Sequence, residues 1–144
     1  MQYRKTALDS DPYLPGLISI IAPCYNESGN IELFMRAVAD LDLRPFQCEV
    51  ILVNDGSRDG SGMIMEVLKS DFPELQTIHF SRNFGQQQAL MAGIRAARGE
   101  VLVTVDLDLQ QPPEHIPTMI KKYEAGFDVV HAIPEYQSDS ASQW

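Results

Sequence analysis

Short runs of apolar and β-branched residues alternate with longer amphipathic stretches along this chain, and this alternation limits the folds open to it. Residues 17–21, 50–53, 77–80 and 101–105 are each followed by a stretch with apolar residues at helical spacing, and a fifth short run covers residues 128–133. Repeated strand–helix units joined by short loops predict a mostly parallel sheet with right-handed crossovers and helices on both faces. Ligands of such an α/β domain bind at the carboxyl ends of its strands.

Glycine and proline mark the helix boundaries in this pattern. Gly99 is predicted to end the third helix and Gly126 the fourth. The fourth helix is predicted to start at Pro112-Pro113-Glu114, where Glu114 complements the helix dipole.

Two aspartates follow the fourth predicted strand in the sequence Asp106-Leu107-Asp108. Residues two apart in an extended segment point to the same side, so both carboxylates should face out of the strand end while Leu107 turns toward the core. Two hard oxygen ligands at this spacing suit a divalent cation, which can bridge a diphosphate and neutralise charge on it as a leaving group. A solvated acidic pair at the end of a buried strand is the alternative interpretation.

Composition and charge exclude several other classes of protein. The chain has 144 residues, 44% of them hydrophobic, which suits one globular domain with a substantial core. Its net charge of -9 argues against a nucleic-acid binder, because such proteins neutralise phosphates with Lys and Arg. No apolar run approaches the roughly 20 residues that span a bilayer, and residues 1–10 lack the apolar segment of a signal peptide. We therefore expect a cytoplasmic protein.

The cysteines and histidines show no pattern typical of a metal or catalytic site. Cys24 and Cys48 fall at opposite ends of two predicted neighbouring strands, so a disulfide is not expected. Neither cysteine has a CxxC partner or a histidine at ligand spacing. His79, His115 and His131 share no spacing, and His79 and His131 are expected to be core or edge residues of strands.

Polar residues gather after each predicted strand, on the edge where a ligand would bind. Tyr25 offers a ring for stacking on a base, Asp55 offers an acceptor for a base N–H, and Gly56 allows a close backbone approach. Each has an alternative: residues 54–57 also suit a turn and helix cap, and Tyr25 also suits a half-buried edge position. Arg82 and Asn83 suit either ligand contact or the tethering of their loop to an aspartate.

Four motifs in order carry a resemblance to a known family. They are Ala22-Pro-Cys-Tyr-Asn-Glu27, Val53-Asn-Asp-Gly-Ser57, Ser81-Arg-Asn-Phe-Gly85 and Asp106-Leu-Asp-Leu-Gln-Gln-Pro-Pro-Glu114. From about Leu17 to Val130 the chain resembles family 2 glycosyltransferases of the A-type fold. It is similar to the subgroup that transfers sugars to polyprenyl phosphates, including dolichyl-phosphate mannose synthases and undecaprenyl-phosphate formamido-arabinose transferases. Gln86 favours a resemblance to the undecaprenyl-phosphate formamido-arabinose transferases.

This resemblance implies a Rossmann-like nucleotide-diphospho-sugar transferase fold and a metal-dependent inverting transferase. The first candidate for the donor is a UDP-sugar and the second is a GDP-sugar. The acceptor would be a polyprenyl phosphate or a glycan. Asp106 and Asp108 would hold Mg²⁺ or Mn²⁺ against the donor diphosphate, with Asp108 the more direct ligand. The residues implied in nucleotide binding are Pro23, Tyr25, Glu27, Asp55, Arg82 and Asp106.

The chain departs from the family pattern at three places. Leu107 stands where many members have Ala, and it should be harmless if it faces the core. Ala132-Ile133-Pro134-Glu135 stands where members commonly carry Gly followed by Arg, which replaces a cation near the diphosphate with an anion. The sequence ends at Trp144, before the region that supplies the acceptor loop, so we expect a truncated, donor-binding part.

The predicted organisation is an N-terminal extension over residues 1–16, a nucleotide-sugar-binding domain over 17–133 and a disordered polar tail over 134–144. The resemblance implies a role in lipid-linked sugar or cell-envelope glycan synthesis, with only peripheral membrane contact at the cytoplasmic face. An exposed sheet edge after the fifth strand predicts homo-oligomers.

Two other functional classes are consistent with parts of the pattern. A nucleotide-binding module without transferase activity would show the same strand-end residues. A receiver-like signalling domain would need a lone Asp after its third strand and a Lys after its fifth, where this chain has Ser81-Arg82 and Pro134-Glu135.

Overall fold

A single sheet of four parallel strands forms the centre of the protein. The computed structural model describes residues 13–108 and 110–133. A 3₁₀ turn, Pro113–His115, leads into the last helix. The strands are β1 (Leu14–Cys24), β2 (Gln47–Asn54), β3 (Leu75–His79) and β4 (Gly99–Thr104), and they lie in the order β3-β2-β1-β4. The helices are α1 (Ile31–Ala39), α2 (Ser61–Leu68), α3 (Gln86–Ala96) and α4 (Ile116–Glu124).

The two central strands, β1 and β2, are buried on both faces, as the sequence predicts for a doubly covered parallel sheet. Alternate residues of one strand point to opposite faces, so Ile20 of β1 packs into the larger core and Ile21 into the smaller. Helices α1, α2 and α4 contribute to the larger core, and α3 covers the other face. The predicted α/β architecture with helices on both faces is therefore confirmed.

The predicted fifth strand is not formed. Within residues 110–133 no segment pairs with the sheet, and residues 130–133 line a cavity together with residues of β4. A strand persists only where its backbone groups find ladder partners, and residues 128–133 form no ladder with β4. The prediction of a strand over residues 128–133 is therefore wrong, and His131 does not lie on a strand.

The structure also shifts two predicted boundaries. β1 begins at Leu14, three residues before the expected start, because Leu14 N–H donates to the carbonyl of Arg98. The third helix ends at Ala96 rather than at Gly99, since Ala97 is already extended and the chain enters β4 directly. Gly126 follows the end of α4 with φ of 107°, as predicted.

A buried carboxylate joins all four strands near their amino ends. Glu49 of β2 is 3% exposed, and one of its oxygens accepts from Ser19 Oγ of β1 at 2.6 Å and from Arg98 N–H at 2.8 Å. Its other oxygen accepts from Gln76 Nε2 of β3 at 2.8 Å and from the Arg98 guanidinium at 3.0 and 3.2 Å. Ser19 Oγ in turn accepts from Gly99 N–H of β4. These bonds satisfy a charge that would otherwise be costly to bury.

Two further predictions concern the cysteines and the membrane. Both thiols are free, with Cys24 in register with Asn54 and Cys48 in register with Ile18, at opposite ends of the β1–β2 pair. Burial raises the pKa of both thiols. Across the described ranges, none of the helices is long and apolar enough to cross a bilayer.

Candidate functional site

The order of the strands creates a crevice between β1 and β4. The chain moves from β1 to β2 and β3 on one side, and then returns to place β4 on the other side of β1. In open parallel sheets, ligands bind at the carboxyl ends of the strands where the strand order reverses in this way. Pro23 at the end of β1 and Asp106 just after β4 lie at this point.

A small cavity occupies the crevice and collects the predicted site residues. Its volume is about 250 Å³. Every residue predicted to bind the nucleotide or the metal lines it, except Arg82. The lining consists of Pro23, Cys24, Tyr25, Glu27, Asp55, Gln86, Asp106, Leu107 and Asp108. The convergence of strand-end residues on one edge is thus observed, whereas their individual roles stay predictions.

The two aspartates after β4 both line the small cavity, although Leu107 and Asp108 form a turn rather than the expected extended segment. Leu107 is 2% exposed and belongs to the larger core, while Asp106 and Asp108 are exposed. Asp106 Oδ1 accepts from Gln86 Nε2 at 3.1 Å, and Asp108 Oδ1 accepts from the N–H of Gln110 at 3.1 Å. The expectation that Leu107 faces the core is confirmed, so its size does not disturb the pair.

This carboxylate pair has the chemistry that a hard divalent cation requires. Carboxylate oxygens are preferred ligands of Mg²⁺, which commonly takes one or two carboxylates and completes its shell with water and phosphate oxygens. Within residues 13–108 and 110–133, no group of three or more His, Cys, Asp or Glu side chains is placed to hold a metal. A cation at Asp106 and Asp108 would therefore depend on oxygens from its ligand.

Asp55 has a structural role beside the predicted ligand role. Its side chain is buried, and its two oxygens accept from the N–H groups of Phe84 at 2.7 Å and Gly85 at 3.1 Å. These bonds fix the loop between β3 and α3 against the end of β2. Each carboxylate oxygen has a second lone pair, so Asp55 retains acceptor capacity toward the cavity that it lines.

Gly56 allows this loop to come close. A Cβ at position 56 would lie 2.2 Å from the carbonyl carbon of Arg82 and 2.4 Å from the nitrogen of Asn83, and the φ of Gly56 is 71°. The close approach predicted for Gly56 is therefore made by the backbone of the protein itself.

The side chain of Arg82 contacts the ring of Phe84. Its guanidinium carbon lies 4.2 Å from the centroid of Phe84, a cation–π geometry, and Phe84 also makes an edge contact with Phe80. Arg82 is exposed and lies outside the lining of the cavity. The loop is tied to Asp55 through backbone groups rather than through the side chains of Arg82 or Asn83.

Four hydrogen bonds fasten the β1–α1 loop to the β2–α2 loop, and we call this set the loop clamp. Ser57 Oγ accepts from Asn26 N–H at 2.9 Å, and Asn26 Oδ1 accepts from Arg58 N–H at 2.9 Å. Asp59 Oδ2 accepts from Ser28 N–H at 3.0 Å, and Ser61 Oγ accepts from Glu27 N–H at 3.2 Å. Burial tends to raise the pKa of Asp59, but hydrogen bonds from Ser61 and Ser28 lower it to about 2.

Sequence reasoning missed two features of this site. The loop clamp joins residues about thirty positions apart and leaves no local pattern. The sequence indicates Gln86 only as a marker of a subgroup, yet its amide donates to Asp106 from the first position of α3. Its place after the third strand was the available signal, because all strand ends share one edge.

A larger cavity of about 710 Å³ adjoins the first and shares Pro23, Gln86 and Asp106 with it. Residues 102–105 and residues 130–133 are both part of its lining. Pro134 and Glu135, which replace the expected cation, lie outside the described residues, as does the predicted disordered tail.

Comparison with known proteins identifies the chain's relatives. It is 39% identical to an undecaprenyl-phosphate 4-deoxy-4-formamido-L-arabinose transferase from Pseudomonas fluorescens, over 90% of this chain and 39% of that protein. It is 39% identical to a bactoprenol glucosyl transferase from Shigella phage SfV, over 80% of this chain and 38% of that protein. The chain thus spans about two fifths of the length of the curated relatives it matches.

Solved structures share the fold. A mannosyltransferase from Pyrobaculum calidifontis, in complex with GDP-Man and Mn²⁺, matches with a TM-score of 0.65 and 26% identity, over 72% of this chain and 31% of that one. S. aureus TarS in complex with UDP-GlcNAc matches with a TM-score of 0.62 and 25% identity, over 75% of this chain and 30% of that one. The glycosyl transferase family 2 model matches residues 19–144, and with the A-type sheet and the relatives named above this shows that the chain belongs to glycosyl transferase family 2.

Proposed function

We propose that this chain is the donor-binding part of a metal-dependent inverting glycosyltransferase that moves a sugar from a nucleoside diphosphate to a polyprenyl phosphate. The observation that carries the proposal is that Asp106 and Asp108 line the same cavity as Tyr25 and Asp55, at the point where the strand order reverses. One cavity thus offers both carboxylates for a cation and groups suited to a base.

The nucleotide is proposed to lie along the β1 side of the cavity. Tyr25 is 47% exposed and offers a ring face, and Glu27 and Asp55 offer carboxylate oxygens to ribose hydroxyls and base N–H groups. Pro23 forms part of the wall. UDP is the first candidate and GDP the second, and solved relatives in complex with UDP-GlcNAc and with GDP-Man support both. Arg82 reaches the nucleotide only if it leaves Phe84.

The diphosphate is proposed to lie at the β4 side, where Asp106 and Asp108 would hold Mg²⁺ or Mn²⁺. When bound, the cation would neutralise charge on the departing diphosphate. Gln86 donates to Asp106 Oδ1 and orients that carboxylate, while the buried Leu107 keeps the pair on one side of the chain. The solved Pyrobaculum relative in complex with Mn²⁺ supports a divalent cation here.

The acceptor is proposed to be a polyprenyl phosphate, because the relatives are named for transfer to undecaprenyl phosphate or bactoprenol. An acceptor oxygen would bond to the anomeric carbon as the bond from that carbon to the diphosphate oxygen breaks, which inverts the configuration. A phosphate oxygen is already anionic near neutral pH and needs no general base. Such an acceptor would place the full-length protein at the cytoplasmic face of a membrane through peripheral contact.

A nucleotide-binding module without transferase activity is the second candidate. It is favoured by the fact that this chain by itself supplies the residues that line the cavity, while it covers 39% of its relative's length.

Calorimetric titration of UDP and of GDP, each with Mn²⁺ and with EDTA, tests the donor site. The variants are Asp106→Asn with Asp108→Asn, and a control in which the exposed Asp40 and Asp71 are changed to Asn. The proposal expects binding that requires the metal, is lost in the first double variant and is retained in the control.

The outcomes separate the two candidates. Metal-dependent binding together with sugar transfer to undecaprenyl phosphate supports the transferase, and binding without transfer supports the module. Absence of nucleotide binding by a chain that is folded by circular dichroism would contradict both.

A further inference from the structure

His79 ends β3 at the sheet edge, outside the candidate cavity, yet hydrogen bonds connect its ring to a loop of that cavity. Its Nε2 lies 2.8 Å from Glu66 Oε1 of α2, and its Nδ1 lies 3.1 Å from Nδ2 of Asn54. Asn54 is buried at the end of β2, directly before Asp55. A Cβ at position 62 would lie 2.8 Å from that Asn54 nitrogen, so Gly62 leaves room for the contact.

The orientation of Asn54 determines which nitrogen of His79 carries the proton. Ser57 N–H donates to Asn54 Oδ1 at 2.9 Å, so Nδ2 is the amide atom that faces the ring. An amide NH₂ group donates and does not accept, and therefore Nδ1 of His79 must be the acceptor. The ring proton then lies on Nε2, where it donates to Glu66.

Glu66 is well suited to hold that proton in place. Its carboxylate also accepts from Thr77 Oγ1 at 2.5 Å and from Lys69 Nζ at 3.0 Å. Hydrogen bonds from Thr77, His79 and Lys69 lower the pKa of Glu66 to about 2, so it is charged at neutral pH. A fixed negative charge at Nε2 favours the tautomer that leaves Nδ1 free to accept from Asn54.

Beyond Asn54 the same series of bonds reaches the wall of the cavity. Ser57, held by Asn54 Oδ1, accepts at its Oγ from the N–H of Asn26. Asn26 has a left-handed backbone with φ of 52°, a conformation that needs support in a residue other than glycine. It directly follows Tyr25, whose side chain lines the cavity.

We propose that His79 is a positioning residue for nucleotide binding, acting through Asn54 and Ser57 on the loop that carries Tyr25. By accepting from Asn54, the ring keeps the amide in the one orientation that serves Ser57 N–H. Its effect on nucleotide affinity rests on the proposed function, whereas its effect on the loop does not.

Two substitutions at His79 test the contacts of its two ring nitrogens separately. His79→Asn places an amide oxygen near the position of Nδ1 and has no atom at Nε2. His79→Gln extends toward Glu66 and leaves Asn54 without its acceptor. Thr77→Val is the matched control, because it removes another donor to the same Glu66 oxygen without touching Asn54.

Amide NMR spectra of the whole chain are recorded without Mn²⁺. UDP binding to the whole chain is measured separately by calorimetric titration with Mn²⁺. His79→Gln is expected to shift the amide resonances of Ser57 and Asn26 and to weaken UDP binding roughly threefold to tenfold, the size expected for one hydrogen bond. His79→Asn should restore both properties toward those of the unsubstituted chain, and Thr77→Val should change neither. Imidazole ¹⁵N shifts should show the proton of His79 on Nε2.

The outcomes distinguish this inference from the function on which it rests. Shifted Ser57 and Asn26 amides in His79→Gln, in a chain that binds no UDP, would support the loop positioning and refute the nucleotide site. Unshifted amides, equal effects of Gln and Asn, or a proton on Nδ1 would overturn the inference.

Discussion

Replacing Glu49 by Gln is expected to destabilise the protein, because the carboxylate accepts five hydrogen bonds in a buried position. The Gln side chain has one oxygen and one NH₂ group where Glu49 has two oxygens. Its NH₂ group must therefore face hydrogen-bond donors on one side. If the NH₂ group replaces the oxygen that faces the Arg98 guanidinium, three bonds are affected: one from Gln76 Nε2 and two from the guanidinium. The Gln76 amide can turn its own oxygen toward the NH₂ group, and water can replace the bonds of the Arg98 side chain, which is 59% exposed. We therefore expect a loss of about 2 kcal/mol in unfolding free energy for Gln. Glu49→Ala leaves Ser19 and the Arg98 N–H without an acceptor and should lose about 3 to 5 kcal/mol, since each unsatisfied buried donor costs about 1 to 3 kcal/mol.

The pH dependence of this loss provides a second, independent check. Burial tends to raise the pKa of Glu49, but hydrogen bonds from Ser19 and Arg98 outweigh it and hold the pKa below the ordinary value of 4.5. A carboxyl with a depressed pKa in the folded state contributes stability that is fully present above the unfolded pKa and is lost as pH falls through the folded pKa. The difference between the unsubstituted chain and Glu49→Gln should therefore shrink as the pH falls below about 4.5.

Urea unfolding followed by far-UV circular dichroism measures these free energies at neutral and acid pH. Asp59 and Glu66 also have depressed pKa values, but they titrate in both proteins and cancel in the difference. Glu100→Gln, an exposed position in β4, is the matched control and should change stability by less than about 0.5 kcal/mol. Equal stabilities of the unsubstituted chain and Glu49→Gln at neutral pH, or a difference independent of pH, would refute this account.

Two further predictions concern the loops and the sheet edge. Gly56→Ala should lower the unfolding free energy by more than about 2 kcal/mol in the same urea assay, because its Cβ would overlap the Arg82 backbone at a positive φ, whereas Gly29→Ala meets open space and should be tolerated. β4 pairs only with β1 among the described residues and carries the 40% exposed Leu102, so light scattering should show concentration-dependent association that Leu102→Lys reduces. A monomer at high concentration would contradict the second prediction, and equal effects of the two glycine substitutions would contradict the first.

The parallel sheet was predictable because its signals are local. Each strand reads as a short apolar run, and each helix shows its own apolar spacing, so the order of elements follows from the sequence alone. The prediction of a fifth strand is wrong for a physical reason. An apolar run such as residues 128–133 predicts burial, but it forms a strand only if its backbone groups pair with a neighbouring strand. Val129 is 86% exposed in the structure.

The location of the site was predictable, but its internal bonds were not. Parallel strands bring all their carboxyl ends to one edge, which is enough to place Tyr25, Asp55 and Asp106 around one cavity. The bonds from Asp55 to Phe84 N–H and from Gln86 to Asp106 span 29 and 20 residues and depend on loop conformation. Sequence patterns carry no information on such pairings, so the roles of these groups had to come from the structure.

The side chains that form the loop clamp are different from the side chains that line the small cavity. The donors of the loop clamp are backbone N–H groups, and its acceptors are side chains of Asn26, Ser57, Asp59 and Ser61. None of these four side chains lines the small cavity, whereas Tyr25 and Glu27 do so with side chains that the clamp does not use. Substitution at Tyr25 should therefore alter ligand preference while the loops keep their shape. Such a division lets the residues that line the cavity change during evolution or in a designed library while the scaffold stays the same.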